Sequence, residues 1–277
     1  MQNCSCCGLG EMGRRGFIAA GLASLALSSA RAQQVPASAG PPAQTLIDEL
    51  VAANRILYNE NVVDGFGHIA ARHDKSPERY LLARSMAPGL VTAADIIEYD
   101  LDSNACEPAN PARASYLERF IHGAIFRARP DVMAVVHSHS ATVIPFANVA
   151  APLRAMNHIS SFLGTGAPVF EIRDSGGPAT DMLIKNAALG SALAQALGRS
   201  SVLLMRGHGA VAVGPSIRHA VYRAVYTEVN ARMQAEAMKL GTPNYLNEQE
   251  AAAAMTTTDR LVDRPWELWL RKVQPAR

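Results

Sequence analysis

The body of this chain has no surplus of charge of either sign. Its 277 residues include 26 Lys and Arg against 24 Asp and Glu. Arg14, Arg15, Arg31 and Glu11 fall within residues 1–32, leaving 23 charges of each sign beyond them. A nucleic-acid binder needs excess Lys and Arg to displace counterions from phosphates, so that class is excluded. Cysteine is nearly absent too. Cys4, Cys6 and Cys7 lie at the very start and only Cys106 remains further on, so the body can form no intrachain disulfide. No apolar run reaches the ~20 residues that span a bilayer. With 49% apolar residues, wholesale disorder is excluded as well.

What is present begins with a targeting pattern. Arg14-Arg15 precedes a weakly apolar run over 17–30 and then Ala30-Arg31-Ala32. This is the order of a secretory n-region, h-region and A-x-A cleavage site. The Arg-Arg-Gly-Phe-Ile core resembles a twin-arginine signal, and export to the periplasm is expected. Twin-arginine export carries folded proteins, a hint of a metal seated before export. The alternative is a frayed amphipathic N-terminus. The Cys4-Ser-Cys6-Cys7 cluster lies inside this segment and is read as part of it. Residues 33–44, rich in Pro, Ala and Gly, are expected to be a linker, and 45–277 the functional domain.

The body alternates strands and helices without an internal repeat. Apolar positions at helical spacing predict helices over 45–57, 115–127, 181–197, 216–240 and 248–271. Short β-rich runs predict strands at 69–71, 80–82, 97–101, 132–136, 168–172, 201–205 and 210–213. The alternation predicts a single α/β domain.

Three features carry chemistry. His137-Ser-His139 ends an apolar strand, and residues two apart in extended chain point to one side, so both imidazoles can face one cation. His208 stands between Gly207 and Gly209 after another strand, where the backbone must approach something closely. Glu118 and His122 lie one helical turn apart. Three histidines with a carboxylate nearby suit a catalytic divalent-metal site. A bare H-x-H is weak, however, and hydrogen-bonded strand-end histidines are the alternative.

The run from Glu118 through His122, Arg129-Pro130-Asp131 and His137-Ser-His139, then His208-Gly209 to Gly214, resembles the class II aldolase/adducin family. The similarity covers about 45–240, with the anchors, including Gly67-His68-Ile69, in family order. It implies a three-layer α/β/α domain with a central, largely antiparallel sheet. It also implies a C4-type homotetramer with active sites at subunit interfaces. The metal ligands of the family's sugar-phosphate aldolases match His137, His139 and His208, and the acid/base carboxylate matches Glu118. The family's tyrosine proton donor, contributed by a neighbouring subunit, falls on an ungapped match near Asn157-His158. His158 is therefore a candidate proton carrier or a plain interface residue.

The chain departs from those aldolases at the phosphate cradle. Where they carry Gly-Asn, Thr-Gly or Ser-Gly, and Ser-Ser pairs, this sequence has Gly67-His68, Ser85-Met86 and Tyr116-Leu117. The polar residues left are His68, Arg84, Ser85 and Arg119, a set suited to a carboxylate. Arg84 as a surface charge and His68 as an ordinary turn residue remain alternatives. The expectation is a metal-dependent carbon–carbon lyase, a decarboxylase or retro-aldolase, acting on a non-phosphorylated hydroxy- or oxo-acid, aromatic acids included. Alternatives are a sugar-phosphate aldolase or epimerase, an iron-dependent oxygenase, and a non-catalytic adducin-like module. Zinc is the first expected metal, with manganese, cobalt or iron open because imidazole suits them all.

Overall fold

The computed structural model describes residues 35–274. The segment expected to be a signal, with its three cysteines, lies outside the described residues. Residues 35–43 carry no helix or strand, yet they are tied down. The Ala39 amide donates to Glu98 at 2.7 Å, and Arg79 donates to the Ala37 carbonyl.

Helix α1 (Gln44–Asn59) opens the fold and leads to strands β1 (His68–His73), β2 (Ser76–Ala83) and β3 (Ile96–Asp100). Helix α2 (Phe120–Ala128) feeds β4 (Ala134–Ser138), and β5 (Val169–Phe170) precedes the one-turn α3 (Arg173–Gly176) and α4 (Ala187–Leu197). A tight pair, β6 (Val202–Met205) and β7 (Gly209–Gly214), leads to the long α5 (Ile217–Leu240). Helices α6 (Glu248–Thr258) and α7 (Asp263–Val273) close the chain. The seven strands form one sheet in the order β3-β2-β1-β4-β7-β6-β5, and only β5–β6 is parallel. The expected three-layer α/β/α architecture is what forms.

Side-chain alternation explains the layers. Ala134 and Val136 of β4, with Ala210 and Ala212 of β7, face α1, α5 and α7. Val135, Val211 and Val213 face α2 and α4 on the other side. Each buried Val, Leu or Ile contributes about 1.5–3 kcal/mol relative to exposure, and both faces of these strands are buried. His137 continues the parity of Val135, which turns it toward the α2 side.

Three expected helices are altered, each for a reason. The helix expected over 115–127 begins only at Phe120, after a 3-10 turn Leu117–Arg119 in which Glu118 is non-helical (φ −90°, ψ 16°). Tyr116 OH donates to the Met86 carbonyl and Arg119 Nε to Ser103 O, so this stretch is held by other loops. The helix expected over 181–197 starts at Ala187, where Asn186 caps it by accepting from the Leu189 amide. Residues 181–186 are drawn into the site described below, with Met182 at φ +72°. The single last helix expected over 248–271 is two, broken at the 3-10 turn Asp259–Leu261, where His219 Nε2 donates to Asp259 O at 3.2 Å.

Candidate metal centre

The site lies where β4 ends, on the α2 side of the sheet. His137 sits in β4 opposite Val211 of β7 and opposite His68 of β1. His139 follows one residue beyond the strand, and His208 stands in the β6–β7 turn. The glycines around His208 are required. Gly207 has φ +63°, and a Cβ on Gly209 would lie 2.0 Å from Ser138 O and 3.1 Å from the His139 ring. Only glycine lets the turn carry His208 this close to β4.

Three ring nitrogens and one carboxylate oxygen converge. His139 Nε2 is 2.9 Å from His137 Nε2 and 3.0 Å from His208 Nε2. Glu118 Oε2 is 3.4 Å from His137 Nε2, 4.0 Å from His139 Nε2 and 3.3 Å from His208 Nε2. All four atoms lie within 4.8 Å of one another. Tetrahedral ligands about 2.0–2.1 Å from an ion are separated by about 3.3 Å, so the donor set is the right size.

The protonation pattern is the fit test. His137 Nδ1 donates to Ala210 O at 3.2 Å, and His208 Nδ1 donates to Met182 O at 2.8 Å. A carbonyl only accepts, so both rings carry their proton on Nδ1 and aim an Nε2 lone pair inward. Inward lone pairs this close repel one another, and a cation relieves that. Burial alone would raise the Glu118 carboxyl, but the adjacent His137 and His208 imidazoles outweigh it and hold the acid well below the usual range. Burial also opposes charge on His208, yet Glu118 and the Met182 carbonyl raise its proton affinity. Burial, with His137 and His208 beside it, lowers His139 to about 4. The centre thus calls for positive charge, and His137, His139 and His208, with Glu118 alongside, fit a divalent cation.

Glu118 is oriented by an unexpected group. The Ile184 amide donates to Oε1 at 3.0 Å, leaving Oε2 toward the histidines. Ile184 and Met182 belong to the segment withheld from α4. Backbone partners such as these carry no residue-type signal, so they could not be read from the sequence.

A cavity of about 310 Å³ opens beside the centre, bordered by Glu118, His139, His68 and Ser85. Phe66, Met86, Tyr116, Leu117 and Leu183 supply its apolar wall. Phe66 and Leu117 are 69% and 62% exposed. No Lys or Arg borders the cavity among the described residues. The three residues that replace the phosphate cradle, Met86, Tyr116 and Leu117, are therefore all in the wall.

The other expected site residues divide. His68 is buried at the cavity edge, its ring 4.4 Å from that of Tyr116. Ser85 is at the rim. Arg84 is not among the residues that border the cavity, and its Nε donates to Asp95 at 2.6 Å. Asp95 closes a capping box with Thr92, so this guanidinium braces a turn. Arg119 likewise donates to Ser103 O and Tyr116 O. His158 is exposed at the start of the 3-10 segment His158–Leu163, and no contact among the described residues joins it to Glu118 or the histidine cluster. Phe66 and Leu183, part of the wall, were not expected.

The fold is that of class II aldolase and adducin domains. Residues 48–235 match the Class II Aldolase and Adducin N-terminal domain, and the chain belongs to that family. It is 36% identical over 256 residues to Decarboxylase tropJ of Talaromyces stipitatus, covering 84% of this chain and 96% of that protein. It is 28% identical over 213 residues to the 3,4-dihydroxyphthalate decarboxylase of Arthrobacter keyseri, covering 70% and 79%. Its fold superposes on the L-fuculose 1-phosphate aldolase from Glaciozyma antarctica with a TM-score of 0.68 at 22% identity, over 85% of this chain and 94% of that one.

Proposed function

We propose that the protein is a divalent-metal-dependent decarboxylase acting on non-phosphorylated, hydroxylated acids, aromatic ones foremost. The observation that carries this reading is the cavity wall. Apolar and aromatic side chains, with no Lys or Arg among the described residues, border the three-histidine centre. Such a wall suits a flat ring and supplies no guanidinium or ammonium for a phosphate. The two decarboxylase relatives support the same class of reaction.

His137, His139 and His208 hold the cation, which supplies positive charge to a substrate oxygen as negative charge develops there. Phe66, Tyr116 and Leu117 orient the ring and exclude water from one side. Glu118, its Oε1 pinned by the Ile184 amide, has Oε2 free to carry a proton. Oε2 takes the proton of a substrate hydroxyl. The bond from the ring carbon to the carboxylate carbon then breaks, carbon dioxide leaves, and the electron pair stays on the ring. Oε2 returns its proton to that carbon, so charge and atoms balance.

His158 acts as a proton carrier from a neighbouring copy, in keeping with a homotetramer. Zinc is the expected metal. Export follows from the Arg14-Arg15 segment and is tested by fractionating cells for the processed chain. The reaction is tested by measuring carbon dioxide release from a panel of hydroxylated aromatic acids, 3,4-dihydroxyphthalate among them, beside aldehyde release from fuculose 1-phosphate. Carbon dioxide from the acids and no aldehyde is expected. Efficient sugar-phosphate cleavage without decarboxylation overturns the reading.

A further inference from the structure

Behind the cavity lies a histidine pair that the metal centre does not use. His68 Nδ1 is 2.7 Å from His122 Nε2, and both residues are buried. One nitrogen donates and the other accepts. Both rings are enclosed away from water, where a charged imidazole is disfavoured, so each ring carries one proton.

The outer nitrogens distinguish two arrangements. His122 Nδ1 is buried and has no partner. His68 Nε2 has no partner within the described chain, and its residue borders the cavity. Were His68 the donor, the His122 proton would sit on Nδ1, a buried N–H with no acceptor. Orphaned buried N–H groups are rarer than under-used acceptors. With His122 Nε2–H donating to His68 Nδ1, the orphan atom becomes a lone pair and the His68 proton moves to Nε2. Tyr116, its ring centroid 4.4 Å from that of His68 and tilted 45° to it, restrains the rotation of the His68 ring.

We propose that His122 is a positioning residue that holds His68 in its Nε2–H tautomer, so that His68 donates to an oxygen of the bound acid. This rests on the reading of the cavity as the site of a hydroxylated acid. It also supplies the donor that Arg84, committed to Asp95, does not. A donor at this point suits a carboxylate or hydroxyl oxygen, which accepts from it, and disfavours an ammonium group, whose own N–H would face it.

The tautomer is read without any substrate. The full chain is labelled with ¹⁵N-histidine, loaded with zinc and studied by magic-angle-spinning NMR, with His68 assigned by signal loss in His68→Gln. The wild type is expected to show His68 unprotonated at Nδ1 and protonated at Nε2. A proton on Nδ1 overturns the proposal, whatever the substrate. The second arm uses 3,4-dihydroxyphthalate. His122→Met is expected to raise KM by about tenfold or more, as for a misdirected hydrogen bond to a charged group, with a smaller change in kcat and unchanged zinc content. His122→Gln, whose amide N–H reaches the Nε2 position, is expected to recover most of that loss, and the shorter His122→Asn is not. Equal KM in all three variants and the wild type overturns the proposal. Failure of the wild type to decarboxylate the acid counts against the function alone, and the NMR result still decides the tautomer.

Discussion

The amide of Ile184 donates to Glu118 Oε1 at 3.0 Å across 66 positions of sequence. That bond decides which carboxylate oxygen faces His137 and His208. It also explains why residues 181–186 are not helical, since a helix there would direct this amide inward to its own turn.

Glu118→Gln keeps the acceptor on which Ile184 depends but cannot exchange a proton. Turnover is expected to fall roughly 10²–10⁴-fold, the range for a lost general acid/base, while metal content stays at the wild-type level. Carbon dioxide release and elemental analysis of the same preparation check both halves. A wild-type rate in the variant removes Glu118 from the chemistry.

His137→Ala, His139→Ala and His208→Ala each delete an inward lone pair. Bound divalent metal is expected to drop below about 0.1 ion per chain in each, with the fold intact by circular dichroism. Full occupancy in all three contradicts the assignment of the centre.

Gly209→Ala tests the backbone approach that delivers His208. Its Cβ would meet Ser138 O at 2.0 Å, and neither backbone can yield without disturbing β4–β7 pairing. Overpacking of this kind costs about 1–3 kcal/mol. Denaturant titration should show that loss, and metal affinity should weaken with it.

Arg84→Lys separates a bracing charge from a substrate clamp. Because Arg84 pairs with Asp95 away from the cavity, KM is expected to stay within about threefold of wild type. Stability should change by no more than about 1 kcal/mol, as for partly exposed ion pairs. A KM rise of tenfold or more would return Arg84 to the substrate.

Cys106 has its thiol pushed up to about 11, by burial first and then by the Glu98 carboxylate. A raised value keeps the neutral thiol, so the reactive thiolate is scarce until the pH approaches 11. At pH 8 its thiolate fraction is about 10²-fold below that of a free cysteine. Peptide-level mass spectrometry of timed iodoacetamide labelling should show slow modification of Cys106 that rises about tenfold per pH unit.

Much of the fold was legible because its signals are local. Continuous apolar runs at 132–136 and 202–205, and helical spacing over 45–57, each report on a few successive residues. The candidate ligands were legible for a related reason. Strand geometry alone puts His137 and His139 on one side, and glycines on both sides of His208 announce a close backbone approach.

What only the tertiary structure decided lies in contacts with no local period. His139 meets His208 across 69 positions, and His68 meets His122 across 54. Arg84 is an equally good clamp or brace by residue type, and only the placement of Asp95 commits it. The amide of Ile184 and the carbonyls of Met182 and Ala210, which set proton positions throughout the site, are groups every residue but proline possesses in full. Side-chain chemistry therefore marked the candidate ligands of this centre, whereas its protonation and orientation come from backbone groups that folding alone brings to it.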